Sequence, residues 1–349
     1  MKNKLIFGIL WFVLNTIIGC RNNTPEEEIL PKQLTSTNLD FRGYLSPDGK
    51  YIAFYTLRNS LIQNAAGMPF ELWIMNRDGS NQRPLLKINE LYVSTSIDYF
   101  IWTPDSKNII VFLSASSIDY KSEIWQVTIN GNKTKKQSSD YFLERPSYSP
   151  DGSRTSFIRQ GPNPRDGSPV YRLYSANNNF SDTILIEKGL IGDYDWLNNS
   201  EGFVYSLYDQ KNGKFDLWKS SINGNNKIKM AETTANKLSL SCSSDGKYIT
   251  YSDFNAIYIT QSDTFSGKLI IDNARLPHFV TNRNLILIYS NQSQDNKSWT
   301  EPWIIDTQGN IVRKIVEGES SEVTFSSSGN YIVYTIAGDI WLDYQTSTK

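Results

Sequence analysis

From residue 30 to the end, the chain alternates short apolar runs with tight polar turns, and the alternation repeats. The clearest unit is Leu45-Ser46-Pro47-Asp48-Gly49-Lys50-Tyr51-Ile52-Ala53-Phe54. Six related turns follow, at Trp102-Thr103-Pro104-Asp105-Ser106, Tyr148-Ser149-Pro150-Asp151-Gly152, Trp196-Leu197-Asn198-Asn199-Ser200, Cys242-Ser243-Ser244-Asp245-Gly246, Phe279-Val280-Thr281-Asn282-Arg283 and Phe325-Ser326-Ser327-Ser328-Gly329. Proline presets φ, the Asp or Asn side chain closes the turn, and glycine accepts the left-handed position before the return strand. The turn residues 48, 105, 151, 199, 245, 282 and 328 are spaced by 57, 46, 48, 46, 37 and 46 residues. A period of about 40–50 residues predicts a propeller or solenoid array.

A second motif alternates with the first. Glu71-Leu72-Trp73, Glu123-Ile124-Trp125, Arg172-Leu173-Tyr174, Asp216-Leu217-Trp218, Ala256-Ile257-Tyr258, Glu301-Pro302-Trp303 and Asp339-Ile340-Trp341 make seven copies, most running into another polar turn. Each unit reads as strand, turn, strand, variable loop, aromatic strand, turn, strand, a four-stranded meander with no helical period. The prediction is an all-β, seven-bladed propeller over residues 30–349. The recurring tryptophans fill the space between sheets. The last unit stops one strand short, and residues 30–35 look like that missing strand. They are expected to pair with the last unit and close the ring, which removes an exposed β edge.

Residues 1–20 stand outside the repeat. Lys2 and Lys4 precede a mostly apolar run over residues 5–19, shorter than the 18 or more of a spanning helix and suited to a signal-peptide core. It ends Ile17-Ile18-Gly19-Cys20, which resembles the lipobox of bacterial lipoproteins and implies lipidation of Cys20. Attached acyl chains would hold the protein on a membrane. Arg21 after the cysteine, rather than aspartate, favours the outer membrane, at its periplasmic or surface face. Residues 21–29 are polar, with Pro25 and three consecutive glutamates, and read as a flexible tether.

The S-P-D-G-K-x-I-a-F pattern and the following acid-aliphatic-Trp strand resemble the TolB-like, or PD40/WD40-like, propeller repeats. The resemblance covers the chain from about residue 30 onward; the turns at Asn198-Asn199-Ser200 and Thr281-Asn282-Arg283 are degenerate, which blurs the bounds of blades 4 and 6. As a family, TolB-like proteins act as partners within an envelope complex rather than as catalysts. They also carry a separate α/β domain that this chain lacks, which sets apart any specific role in the Tol system.

Charge and chemistry narrow the function further. Without Lys2 and Lys4 the chain has 33 basic and 36 acidic side chains, a formal charge of −3, and no basic run suggests nucleic acid. Beyond Cys20 the only cysteine is Cys242, so the mature chain has no internal disulfide. His278 is the only histidine, which leaves no histidine cluster for a metal and one residue for any Ser-His-Asp triad. No G-x-S-x-G elbow, phosphate loop or dinucleotide fingerprint is present. No cofactor is implied, and the protein is expected to be a monomer.

Propellers generally place function at the channel mouth, where loops vary while the scaffold repeats. Aligned on the turn serines, the position four residues earlier reads Arg42, Tyr99, Arg145, Asp193, Ser239, Leu276 and Glu322, with Asp195 and His278 two residues further in. These blade-specific polar residues form the candidate binding layer; alternatively, the charges pair with one another and line a wet channel. The segments 57–70 and 160–170 are expected as long rim loops, the second shaped by Pro and Gly. The 291–300 loop carries Trp299, placed to stack on a sugar or anchor a peptide. Two functions follow. One is a lipid-anchored envelope module that binds a protein or glycan at the mouth. The other is an extracellular carbohydrate- or peptide-processing enzyme using Asp193, Asp195 and Glu322 as paired carboxylates.

Overall fold

Each repeat contains four segments in which apolar and polar residues alternate, and four such segments hydrogen-bond into one twisted sheet. In the computed structural model, the described residues are 31–59, 70–87, 96–116, 121–162, 167–235, 238–263, 267–294, 297–317 and 321–344. The expected leader 1–20 and tether 21–29 lie outside them. The described residues form seven four-stranded antiparallel sheets and no helix. The innermost strands are Asp40–Leu45, Ser96–Trp102, Phe142–Tyr148, Ile191–Trp196, Leu240–Cys242, Ala274–Phe279 and Ser321–Phe325. Inner strands of blades 1 and 7, 2 and 3, 4 and 5, and 5 and 6 approach one another, so the sheets are arranged around a central channel. The degenerate fourth and sixth repeats are complete sheets, running from Ile191–Trp196 to Ile228–Ala231 and from Ala274–Phe279 to Ile311–Lys314.

The core is divided into seven apolar clusters, one between each pair of adjacent blades. Between blades 2 and 3, for example, Ile110, Phe112 and Ile124 meet Phe157 and Phe180. Each fully buried side chain of this kind contributes about 2 kcal/mol. Every cluster includes one aromatic of the second motif: Trp73, Trp125, Tyr174, Trp218, Tyr258, Trp303 or Trp341. The acid of that motif is explained by strand geometry, which puts residues i and i+2 on one face. The indole nitrogens of Trp73 and Trp125 donate to Glu71 and Glu123 at 2.9 and 2.8 Å.

The first turns are closed by their own side chains. Ser46 donates to Asp48 at 2.7 Å and accepts from the Tyr51 N–H at 3.0 Å, and Ser149 and Ser243 repeat the contact to Asp151 and Asp245. In two turns a serine occupies the left-handed position normally held by glycine: Ser106 at φ 60° and Ser200 at φ 59°. Both hydroxyls accept an N–H from the preceding blade, of Asp48 at 2.9 Å and Asp151 at 3.1 Å. The strained turns thereby link neighbouring blades.

The ring closes as the sequence predicts. Lys32–Gln33 pairs with Asp339–Tyr344, Lys32 opposite Leu342 and Gln33 opposite Trp341, and the Leu34 N–H donates to the Ile340 carbonyl at 2.8 Å. The Asp339 carboxylate then accepts the N–H groups of Thr37 and Asn38 at 2.7 and 2.9 Å. Strands extend into two of the expected loops, of which residues 163–166 and 295–296 lie outside the described residues. Arg154–Pro162 and Pro169–Asn177 stay paired as far as Pro162 opposite Pro169. Leu285–Gln294 and Lys297–Asp306 stay paired as far as Gln294 opposite Lys297. Continued backbone pairing satisfies donors and acceptors that a bare loop would leave to water. Of the 57–70 segment, residues 60–69 lie outside the described residues.

Candidate functional site

The inner strands are not regular. In six of them the pairing with the second strand slips, at Phe41/Tyr44, Ile97/Tyr99, Glu144/Ser147, Ile191/Tyr194, Arg275/His278 and Ser321/Val323. Such a bulge sets extra residues against the partner strand and re-aims side chains. Four of the slips carry a non-glycine residue at positive φ: Arg42 (53°), Arg145 (51°), Leu276 (54°) and Glu322 (43°). Each such conformation costs about 1–3 kcal/mol, and these four belong to the predicted binding layer. After Arg42, Gly43 has no room for a side chain: a Cβ there would lie 2.7 Å from Val333 Cγ1 of blade 7.

Blades 1, 2, 3 and 7 enclose a cavity of about 860 Å³ at this end of the channel. Five rings line it, Phe41, Tyr55, Phe70, Tyr99 and Phe142, together with Arg42, Asp98, Glu144 and Glu322. Arg42 Nε lies 2.6 Å from Glu322 Oε1, and its guanidinium sits 6.0 Å from the Tyr55 ring centre. Glu322 Oε2 is buried without a hydrogen-bond partner among the described residues. Ser114 donates to Asp98. Burial pushes the carboxyls of Glu144 and Glu322 above their ordinary values; Asp98 adds to this at Glu144 while Arg145 opposes it. Burial, then Glu144, raises the Tyr99 phenol.

The remaining layer residues do different work. Arg145 Nη1 pairs with Asp193 Oδ1 at 2.6 Å, joining blades 3 and 4, and Asp193 Oδ2 accepts the Leu240 N–H of blade 5 at 3.1 Å. Asp195 accepts the N–H groups of Trp196 and Cys242, both at 2.8 Å. Burial, partly offset by those N–H groups, lifts the Asp195 carboxyl to about 6, and it lifts Asp193 despite its arginine. Asp195, Cys242 and His278 line a second cavity of about 510 Å³ toward the turn end of the channel. His278 faces that space, yet the surrounding protein pushes its imidazole below the usual value. The Cys242 thiol is pushed up by burial and by Asp195, opposite to what a reactive thiolate needs.

Of the predicted residues, therefore, Arg42, Tyr99 and Glu322 come together in the mouth cavity, with Arg145 and Asp193 paired as a clasp between blades. Asp195 and His278 line the second cavity. Trp299 lines neither: it sits within a strand, and its indole donates to Glu301 at 3.1 Å, so it is not a loop residue held out for a ligand. The sequence reading missed Phe41, Asp98 and Glu144, each one residue before a predicted position. At a bulge two consecutive residues can reach the same opening, which strict alternation hides. The remaining rings come from second strands and rim segments that turn alignment does not reach. Among the described residues no group of three or more His, Cys, Asp or Glu side chains is placed to hold a metal ion.

Comparison with solved structures finds TolB from Acinetobacter baumannii at a TM-score of 0.51 and 18% identity, covering 76% of this chain and 63% of that one. The fold is a TolB-like β-propeller. An oligogalacturonate lyase from Vibrio parahaemolyticus superposes at a TM-score of 0.65 and 11% identity, covering 89% of this chain and 92% of that one. At these identities the likeness concerns the fold alone. The propeller spans 63% of the length of the Acinetobacter structure. No family model and no curated protein sequence matches the chain.

Proposed function

We propose that this protein is a lipid-anchored, non-catalytic envelope module, held on the outer membrane through Cys20, whose mouth cavity binds a partner. The observation that carries this reading is the state of the expected catalytic acids. Asp193 and Asp195 are taken up by Arg145 and by backbone N–H groups of blade 5, and Glu322 pairs with Arg42. What remains open is a pocket lined by five rings together with Asp98 and Glu144. Aromatic faces beside carboxylates suit a cationic or hydroxyl-rich group. A lysine or arginine side chain of a protein partner matches both features, and a neutral sugar matches the rings.

The test is capture from detergent-solubilised envelope on the chain from residue 21, beside a panel of neutral and acidic oligosaccharides. A partner or glycan held by the wild type and lost in a Tyr99→Ala/Glu144→Gln variant supports the reading. Binding that ignores both substitutions moves the site elsewhere.

A second reading, an enzyme acting on carbohydrate or peptide, is favoured by Glu144. Burial raises its carboxyl above the ordinary value, the direction a general acid requires. The fold likeness to the oligogalacturonate lyase is compatible with it. Turnover of any oligosaccharide that disappears in Glu144→Gln would establish the enzyme and overturn the first reading.

A further inference from the structure

Blade 3 departs from the repeat at one position. Two residues before the aromatic of the third strand, blades 1, 2, 4, 6 and 7 have an acid: Glu71, Glu123, Asp216, Glu301 and Asp339. Blade 5 has Ala256, and blade 3 has Arg172. In blades 1, 2, 4 and 6 that acid serves an indole or a lysine, as when Lys229 Nζ lies 2.8 Å from Asp216, and in blade 7 Asp339 caps the closing segment. In blade 3 the aromatic is Tyr174, which has no indole N–H to satisfy.

The reversal of charge has company. Arg159 lies directly opposite Arg172, and Arg172 directly opposite Lys188, so three cations cross the sheet in one row on one face. Residues so paired have Cβ atoms about 5 Å apart, and like charges there repel. None of the three side chains has a hydrogen bond or an ion pair with another described residue. Arg159 is held in place by ring faces, its guanidinium carbon lying 5.5, 5.7 and 4.6 Å from the ring centres of Tyr141, Phe157 and Tyr174. Its Nε is buried without a partner among the described residues, and the residue as a whole is half-buried.

We propose that this row, none of whose three cations lines the mouth cavity, is a binding site for a phosphate-type oxyanion. A guanidinium held flat by aromatic faces presents its fork without further ordering, and forked donors match phosphate geometry. A second arginine and a lysine along the same row supply the charge that a phosphate monoester carries. The ion also relieves the repulsion that the row otherwise stores. Leu185, opposite Tyr174 on the outer strand and 45% exposed, lies beside the row and would adjoin the first carbons of an esterified lipid. The oxyanion is thus either a free phosphate or the headgroup of a phosphorylated lipid.

The experiment compares wild type with Arg172→Glu, which restores the acid of the other blades, and with Arg172→Gln. Thermal melting is followed as inorganic phosphate replaces chloride at constant ionic strength. Sedimentation is measured with phosphatidylcholine vesicles that contain or lack phosphatidate. The wild type should melt higher in phosphate, and both variants should bind phosphate at least about tenfold more weakly. In chloride, Arg172→Glu should melt above wild type, because a row of alternating charge replaces one of like charge. Phosphatidate-dependent sedimentation lost in the variants assigns the site to a lipid headgroup; a phosphate response without vesicle binding assigns it to a soluble phosphate. A wild-type melting curve indifferent to phosphate, or a phosphate shift retained in both variants, overturns the proposal.

Discussion

The aspartates of the first turns and the acids of the inner strands lie close together in sequence and behave in opposite ways. In the turns, the Ser149 hydroxyl and the Ser153 N–H hold Asp151 down to about 2, and the Thr103 hydroxyl holds Asp105 below its usual value. Partial burial pushes Asp48 and Asp245 upward, yet the Ser46 and Ser243 hydroxyls and nearby N–H groups outweigh it. Along the inner strands burial wins: Asp195 rises to about 6, and Asp193, Glu144 and Glu322 are raised. In the turns the hydroxyl and N–H donors outweigh burial, while along the inner strands burial outweighs the donors and the neighbouring arginines. The turn acids recur from blade to blade and make the fold; the inner-strand acids differ between blades and make the clasps and the pocket.

That division can be broken most severely at the closure, a purely structural feature. Deleting residues 29–37 removes the pairing with Asp339–Tyr344 and three of the four donors that cap Asp339, those of Gln33, Thr35 and Thr37. A loss of about 4 kcal/mol is expected, with association through the exposed edge, read by denaturant unfolding and by size-exclusion chromatography. An unchanged melting curve would sink the closure as a structural element.

The two acid classes should next separate by pH. The Asp195 value in the folded protein lies above its unfolded value, so its favourable contribution is present below about pH 4 and is lost as pH rises to about 6. The stability advantage of wild type over Asp195→Asn should therefore grow by about 2 kcal/mol between pH 7 and pH 4, allowing for water in the adjoining cavity. Asp151 lies below its unfolded value, so the advantage of wild type over Asp151→Asn should shrink as pH falls from about 5 toward 2. Urea unfolding at stepped pH reads both; slopes of the same sign would erase the distinction.

At the mouth, Glu144→Gln should weaken partner binding by at least about tenfold while changing stability by no more than about 0.5 kcal/mol, since Glu144 is half-buried and holds no neighbouring blade. Binding isotherms and melts on the same samples separate the two quantities. The smallest effect is expected at Ser106→Gly, which loses the bond from the Asp48 N–H but relieves a positive φ. A net change within about 0.5 kcal/mol by urea unfolding is expected.

Much of this molecule is local and therefore readable. Pro-Asp-Gly turns, strand alternation and a recurring acid-aliphatic-Trp segment specify a meander wherever they occur, and seven meanders with an orphan strand specify a closed ring. The binding layer was readable only in part. Arg42, Tyr99 and Glu322 were found by counting back from the turns, but Phe41, Asp98 and Glu144 fell one residue outside the count at the bulges. Trp299 drew notice as an aromatic beside polar residues, and only the continued pairing of its strand shows that it is bonded to Glu301.

By itself, then, the sequence determined the blade count, the strand order within each blade, the closure and the apolar seams, because each depends on residues near one another or on strict repetition. Only the tertiary structure decided which charges are spent and which are open. Arg145 meets Asp193 across 48 residues, Asp193 meets Leu240 across 47, and Arg42 meets Glu322 around the closed ring. Those contacts depend on a slip of register in six of the seven inner strands and on the curvature of the whole ring, which no single repeat encodes.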